Sequence, residues 1–205
     1  MIKPLLDELE KSNEIHLDEG EAILKAYGGL LYPFDLLSLA VLNQSMSLTS
    51  GFIRLMRSHN FVAAAPLIRL QLDNFLKFAA AWLFPDPHKF ATKILHGSAV
   101  KDLKTRDGKK MTDYYLISHF GREYKWIPNV YKNIDDFIHL SDRYLFLNMA
   151  NVDSQKRTSH ILISDKDYHI PEETKTEAIR AFTDITKLIL HRAYSWRCTK
   201  DNPTD

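Results

Sequence analysis

The sequence predicts an all-α helical bundle of about six or seven helices in one domain, and three observations carry the prediction. First, residues 61–82, FVAAAPLIRLQLDNFLKFAAAW, place Phe61, Ala65, Ile68, Leu72, Phe75, Ala79 and Trp82 at steps of four and three. That spacing lays one apolar stripe along a helix of about six turns. Second, apolar residues recur at helical spacing over most of the remaining chain, between proline and glycine stops. Third, 7 Gly and 8 Pro in 205 residues supply too few tight turns for a protein of many short strands.

Pro4 to about Lys11 reads as a short first helix with Leu5, Leu6 and Leu9 inward. Asp18, or a residue just after it, caps a second through Glu21, Ala22, Ile23 and Ala26, closed by Gly28-Gly29. Pro33 starts a long third helix, whose Leu36, Leu37, Ala40, Val41, Leu48, Phe52, Ile53 and Leu55 keep an apolar side as far as Arg57. Ser58-His59-Asn60 is the turn, Asn60 caps the helix from Phe61, and so short a link makes the two an antiparallel αα-hairpin. Pro66 should kink that helix, and Pro85-Asp86-Pro87 should end it.

A short helix from about His88 to His96 follows, and then the charged segment Lys101 to Lys110, which turns at Asp107-Gly108 and reads as a mobile surface loop. Helices are expected from about Thr112 to Tyr124 and from about Asn129 to Ala150. Beyond them the run HILIS, with Tyr168-His169-Ile170, makes either a small β-hairpin near residues 158–170 or an extended loop. Pro171-Glu172-Glu173 opens the last helix, through Ala178, Phe182, Ile185, Leu188, Ile189 and Trp196. The domain is expected to span residues 1–198, with 199–205 a frayed tail.

A formal net charge of +1 gives no global field that would announce a nucleic acid or an anionic membrane. The single cysteine, Cys198, cannot form an internal disulfide, and the opening MIKPLLDELEKSNE carries acids where a signal peptide needs an apolar core. A cytoplasmic protein that does not enter a membrane is the expectation, since Arg69, Asp73 and Lys77 interrupt the best candidate span.

Several constellations could carry chemistry. Arg69, Asp73 and Lys77 follow one another at i, i+4 beside the apolar stripe, where a guanidinium needs a carboxylate. With His139 and Ser141 from a later helix, Arg69 and Asp73 make a buried polar cluster, read first as structural and second as a place to hold a phosphate or carboxylate. Lys101, Lys104, Arg106, Lys109 and Lys110, followed by Tyr114, Tyr115, Arg122, Tyr124, Lys125 and Trp126, mix cations with aromatics as an RNA surface does, or as a solvated loop and amphipathic helix do. No HExxH or ExxH pairing supports a metal, no glycine-rich phosphate loop is present, and no cofactor is expected.

The stretch Arg54-Leu-Met-Arg-Ser-His59 resembles the Arg, four residues, His pattern of RNases of the HEPN superfamily. The resemblance implies a metal-independent ribonuclease in which Arg54 and His59 share acid-base chemistry and charge stabilisation. A solvated helix end with its cations near the negative pole accounts for the same residues. More broadly, SHNFVAAAPLIRLQLDNFLKF and NIDDFIHLSDRYLF resemble bacterial all-helical proteins related to HEPN and abortive-infection domains, over about residues 40 to 150. That likeness carries its motif positions onto Arg69, Asp73, Phe137, His139 and Ser141, with Asp73 where Glu is more usual and Leu145 where relatives carry a second His. It implies a HEPN-like binding or interaction module in bacterial defence or stress, a homodimer with a protein, RNA or small-anion partner. The alternatives are the ribonuclease, with Arg54 and His59 or Arg69 and His139, and a receptor for a small anion or nucleotide.

Overall fold

A computed structural model describes residues 2–138, 149–153, 158–161 and 164–202, with side chains described outside 135–163. They form an all-α bundle of α1 (Ile2–Lys25), α2 (Pro33–Arg57), α3 (Phe61–Ala79), α4 (Pro87–Leu95), α5 (Asp113–Phe120), α6 (Ile127–Ile138) and α7 (Glu172–Asp201). Strands β1 (Met149–Asp153) and β2 (Thr158–Ile161) make one antiparallel hairpin.

The pillar is α3. All of the predicted stripe from Phe61 to Ala79 is buried, and Trp82 partly so, in a 3₁₀ turn at Ala80–Leu83. The Asn60 side chain caps the helix by accepting from the Ala63 amide at 3.1 Å, and the helix runs on through Pro66. Its flanks carry Ala64, Gln71, Asn74, Leu76 and Phe78, also buried, so neighbours enclose it on several sides. Helices α1, α3 and α7 run one way and α2 the other. Opposed positions fix this: Ser45 of α2 meets His16, Phe52 stacks on Phe182 at 4.3 Å, and Asp35 meets Trp196 and Lys200.

Several boundaries differ from those the sequence predicts. The first two helices are one, because Ser12 bonds back to the Leu9 carbonyl at 2.6 Å instead of breaking the turn, while Leu6, Leu9, His16 and Ile23 form one buried row. It ends where Tyr27, Gly28 and Gly29 take positive φ. Lys101 to Lys110 is tethered: Arg106 N–H donates to Leu83 at 3.0 Å, Met111 N–H to Leu103 at 3.0 Å, and both of those Leu103 and Met111 side chains are buried. Thr112 caps α5, which stops at Phe120. The helix expected from Asn129 to Ala150 is described as far as Ile138, and Met149 and Ala150 are strand residues. The hairpin pairs β2 with β1 upstream of it, not with Tyr168-His169-Ile170. The chain after Cys198 is not frayed at its start, since α7 continues to Asp201 and Lys200 is 4% exposed.

Lys200 belongs to a buried clamp. The Asp35 carboxylate accepts from Trp196 Nε1 at 2.7 Å, Lys200 Nζ at 2.9 Å and its own Tyr32 amide at 2.8 Å, while Lys200 also donates to the Ile23 carbonyl at 2.8 Å. Midway along the bundle a second polar chain crosses all four long helices. The carbonyl of Ser12 can only accept, so His16 Nδ1 carries the proton at 2.6 Å and Nε2 accepts from Ser45 Oγ at 2.8 Å. Gln71 Nε2 then donates to Ser45 at 2.6 Å and to Thr186 at 3.0 Å, and Thr186 donates to the Phe182 carbonyl at 2.9 Å.

By length and composition α2 could cross a membrane, so the helix that meets that test is not α3. Here it is packed against α1, α3, α4 and α7.

Two outcomes follow. Lys200→Met leaves the Asp35 carboxylate buried without its cation and should cost about 3–5 kcal/mol in urea unfolding. Burial holds the His16 imidazole below its ordinary value of about 6.5, against the Ser12 hydrogen bond. The unfolded chain therefore takes up that proton first, so stability is full above about pH 6.5 and falls as the pH drops below it. Urea midpoints at pH 7.5 and 5.5 should show a smaller loss in His16→Gln than in wild type.

Candidate functional site

Arg69 and Asp73 pair as their spacing requires, Nε to Oδ1 at 3.1 Å, with side chains 15% and 23% exposed. The ring of Tyr131 on α6 lies 3.2 Å from the guanidinium carbon, a cation–π contact. The facing helix is the one predicted to complete the cluster, although the positions that do so, His139 and Ser141, lie outside the described residues, as does Leu145. What is described is a guanidinium covered on one face by an aromatic ring and held by a carboxylate. Asp73 also lines a groove of about 230 Å³ with Gln44, Asn74 and Lys77.

A larger cleft lies elsewhere. A space of about 510 Å³ opens where the first turns of α1 and α7, the end of α2, the 58–60 turn and residues 168–170 converge. His59 stands at its edge, with φ 63. That conformation closes a Schellman turn at the end of α2, with the His59 and Asn60 amides donating to the Met56 and Leu55 carbonyls at 3.2 and 2.9 Å. The His59 ring lies 4.7 Å from that of Tyr168, which is 63% exposed. Beneath them Asp167 ties the turn down: its amide donates to the His59 carbonyl at 2.7 Å, its carboxylate accepts from the Val62 amide at 2.8 Å, and its carbonyl accepts from Lys175 Nζ at 2.7 Å. Burial pushes the Lys175 ammonium below the usual lysine range, against the fields of Asp167 and Glu172.

Only half of the predicted Arg54 and His59 pair reaches this place. Arg54 lies on the solvent face of α2 with Leu36, Ala40, Asn43 and Ser47, and the arginine that lines the cleft is Arg57. Arg57 is committed to two carboxylates, Asp7 at 2.8 Å and Glu10 at 2.7 and 3.0 Å. Glu10 first and Asp7 second push the guanidinium further above its ordinary range, and the Arg57 hydrogen bond holds Glu10 below its own.

Lys101, Lys104, Arg106, Lys109 and Lys110 are all exposed on the tethered turn, mixed with Asp102 and Asp107, and Arg106 Nε donates to the Phe84 carbonyl at 3.2 Å. Among the described residues no three His, Cys, Asp or Glu gather as metal ligands would. No family model, no curated protein and no solved structure matches the chain.

Asp167, Tyr168 and Lys175 were not singled out by the sequence. Asp167 caps a helix 105 residues away, which no local pattern announces. Lys175 did carry a signal, because it sits three and seven residues before the buried Ala178 and Phe182, in phase with the apolar row.

Arg69→Met should lose about 1–2 kcal/mol of stability, Tyr131→Leu a similar amount, and the double variant less than the sum, measured as a urea double-mutant cycle.

Proposed function

We propose that this chain is a binding module of HEPN-like architecture, with its ligand site in the cleft beside His59. One observation carries the reading: three stretches distant in sequence, 2–6, 56–59 and 168–175, meet there around His59, an exposed Tyr168 and an enclosed Lys175. Pockets of about 300–1,000 Å³ with an apolar lining and a few polar groups are the usual form of small-ligand sites. The αα-hairpin of α2 and α3 and the Arg69–Asp73 pair support the architectural likeness.

The ribonuclease alternative has less support. A scissile phosphate needs a cation free to take up developing charge, and Arg57 already shares its charge with Asp7 and Glu10. Arg54 does not line the cleft at all.

Incubation with single-stranded and structured RNA in EDTA should leave the RNA intact, and cleavage abolished by His59→Ala would reinstate the enzyme. In a thermal-shift screen of small fragments, those that raise the melting temperature of wild type should do so less in Tyr168→Ala. Hits indifferent to Tyr168, or no hits, would remove the cleft as a site.

A further inference from the structure

Lys175 has more donors than its structural duty uses. It is 8% exposed and donates to the Asp167 carbonyl at 2.7 Å, yet an ammonium carries three N–H groups and that carbonyl engages one. Its side chain lines the cleft together with the apolar Leu6, Met56 and Ile170. Lys3 is exposed at the rim, and the first turns of α1 and α7 bring their positive ends to the same place. The opposing charges are Asp167, whose carboxylate accepts from the Val62 amide, and Glu172 among the lining residues, while Arg57 is balanced by Asp7 and Glu10. The cleft thus combines an apolar wall with a desolvated ammonium at its base, where a charge-assisted hydrogen bond is strongest.

We propose that the cleft takes an amphipathic carboxylate, its head on Lys175 and Lys3 and its apolar body over Leu6, Met56 and Ile170. The inference rests on the cleft being the ligand site. Octanoate, octanol and octylamine share one tail and differ in the head, so calorimetric titration of the full chain with each separates the two claims. Octanoate should bind about tenfold tighter than octanol, and octylamine should not bind. Lys175→Met should bring octanoate to the octanol value. Because that change orphans the Asp167 carbonyl, Lys3→Glu at its exposed position serves as a second variant, expected to weaken octanoate severalfold without changing the melting temperature of the free protein. Equal binding of octanoate and octanol, or a preference for octylamine drawn by Glu172, overturns the carboxylate inference and leaves the cleft a ligand site. Failure of all three to bind overturns it as well, and the fragment screen with Tyr168→Ala then decides the wider reading alone.

Discussion

The carboxylate of Asp35 has no exposure, and the alignment of the long helices depends on satisfying it. A charge taken out of water is tolerated only when its hydrogen bonds are all made, and here the partners come from the start of α2 and from Trp196 and Lys200 near the end of α7. Lys200 extends the demand to α1 through the Ile23 carbonyl. A slip of α7 by one turn, about 5.4 Å, would take both side-chain donors away and leave only the Tyr32 amide. Two further polar levels repeat the device lower down. At mid-height His16, Ser45, Gln71 and Thr186 join all four long helices, with donation running outward from the Gln71 amide to Ser45 on one side and Thr186 on the other. At the far end Asp167 and Lys175 fasten the 58–60 turn to the start of α7. Apolar contacts between helices tolerate sliding; these three levels do not.

The fold was legible where the cause was local. The stripe from Phe61, the Asn60 cap, the Pro33 start and the Pro85-Asp86-Pro87 stop all act within one or two turns, and all stand where expected. It was illegible where a side chain chose between two local options. Ser12 and Asn13 look like a break, yet the Ser12 hydroxyl bonds back into its own helix and leaves α1 whole. The charged segment before Met111 looks loose, and tertiary hydrogen bonds to Leu83 and Phe84 hold it. Lys200 looks like a solvated tail residue, yet its acceptor Asp35 lies 165 residues away in sequence and 2.9 Å away in space.

The site was less legible than the fold. His59 was reachable from its motif, but the companion that the motif names, Arg54, faces solvent, and the neighbours that shape the cleft come from Ile2, Tyr168 and Lys175. No spacing rule links those positions. The Arg69–Asp73 pair shows the opposite case: its geometry was fully readable, and it serves to seat α6 on α3 through Tyr131. The two buried lysines were the missed clue. Both fall in phase with the apolar row of α7, and a lysine in that phase announces an acceptor inside the protein.

The separation of α3 from α7 has a consequence for how the protein comes into being. About 90 residues lie between them, yet α7 supplies Phe182, Ile185 and Ile189 to the core that α1, α2 and α3 begin. During synthesis the first three helices must wait, with the unfilled side of their core facing water, until α7 has left the ribosome. Nascent chains of intermediate length therefore offer a sticky apolar trough, the kind of surface that holdase chaperones bind.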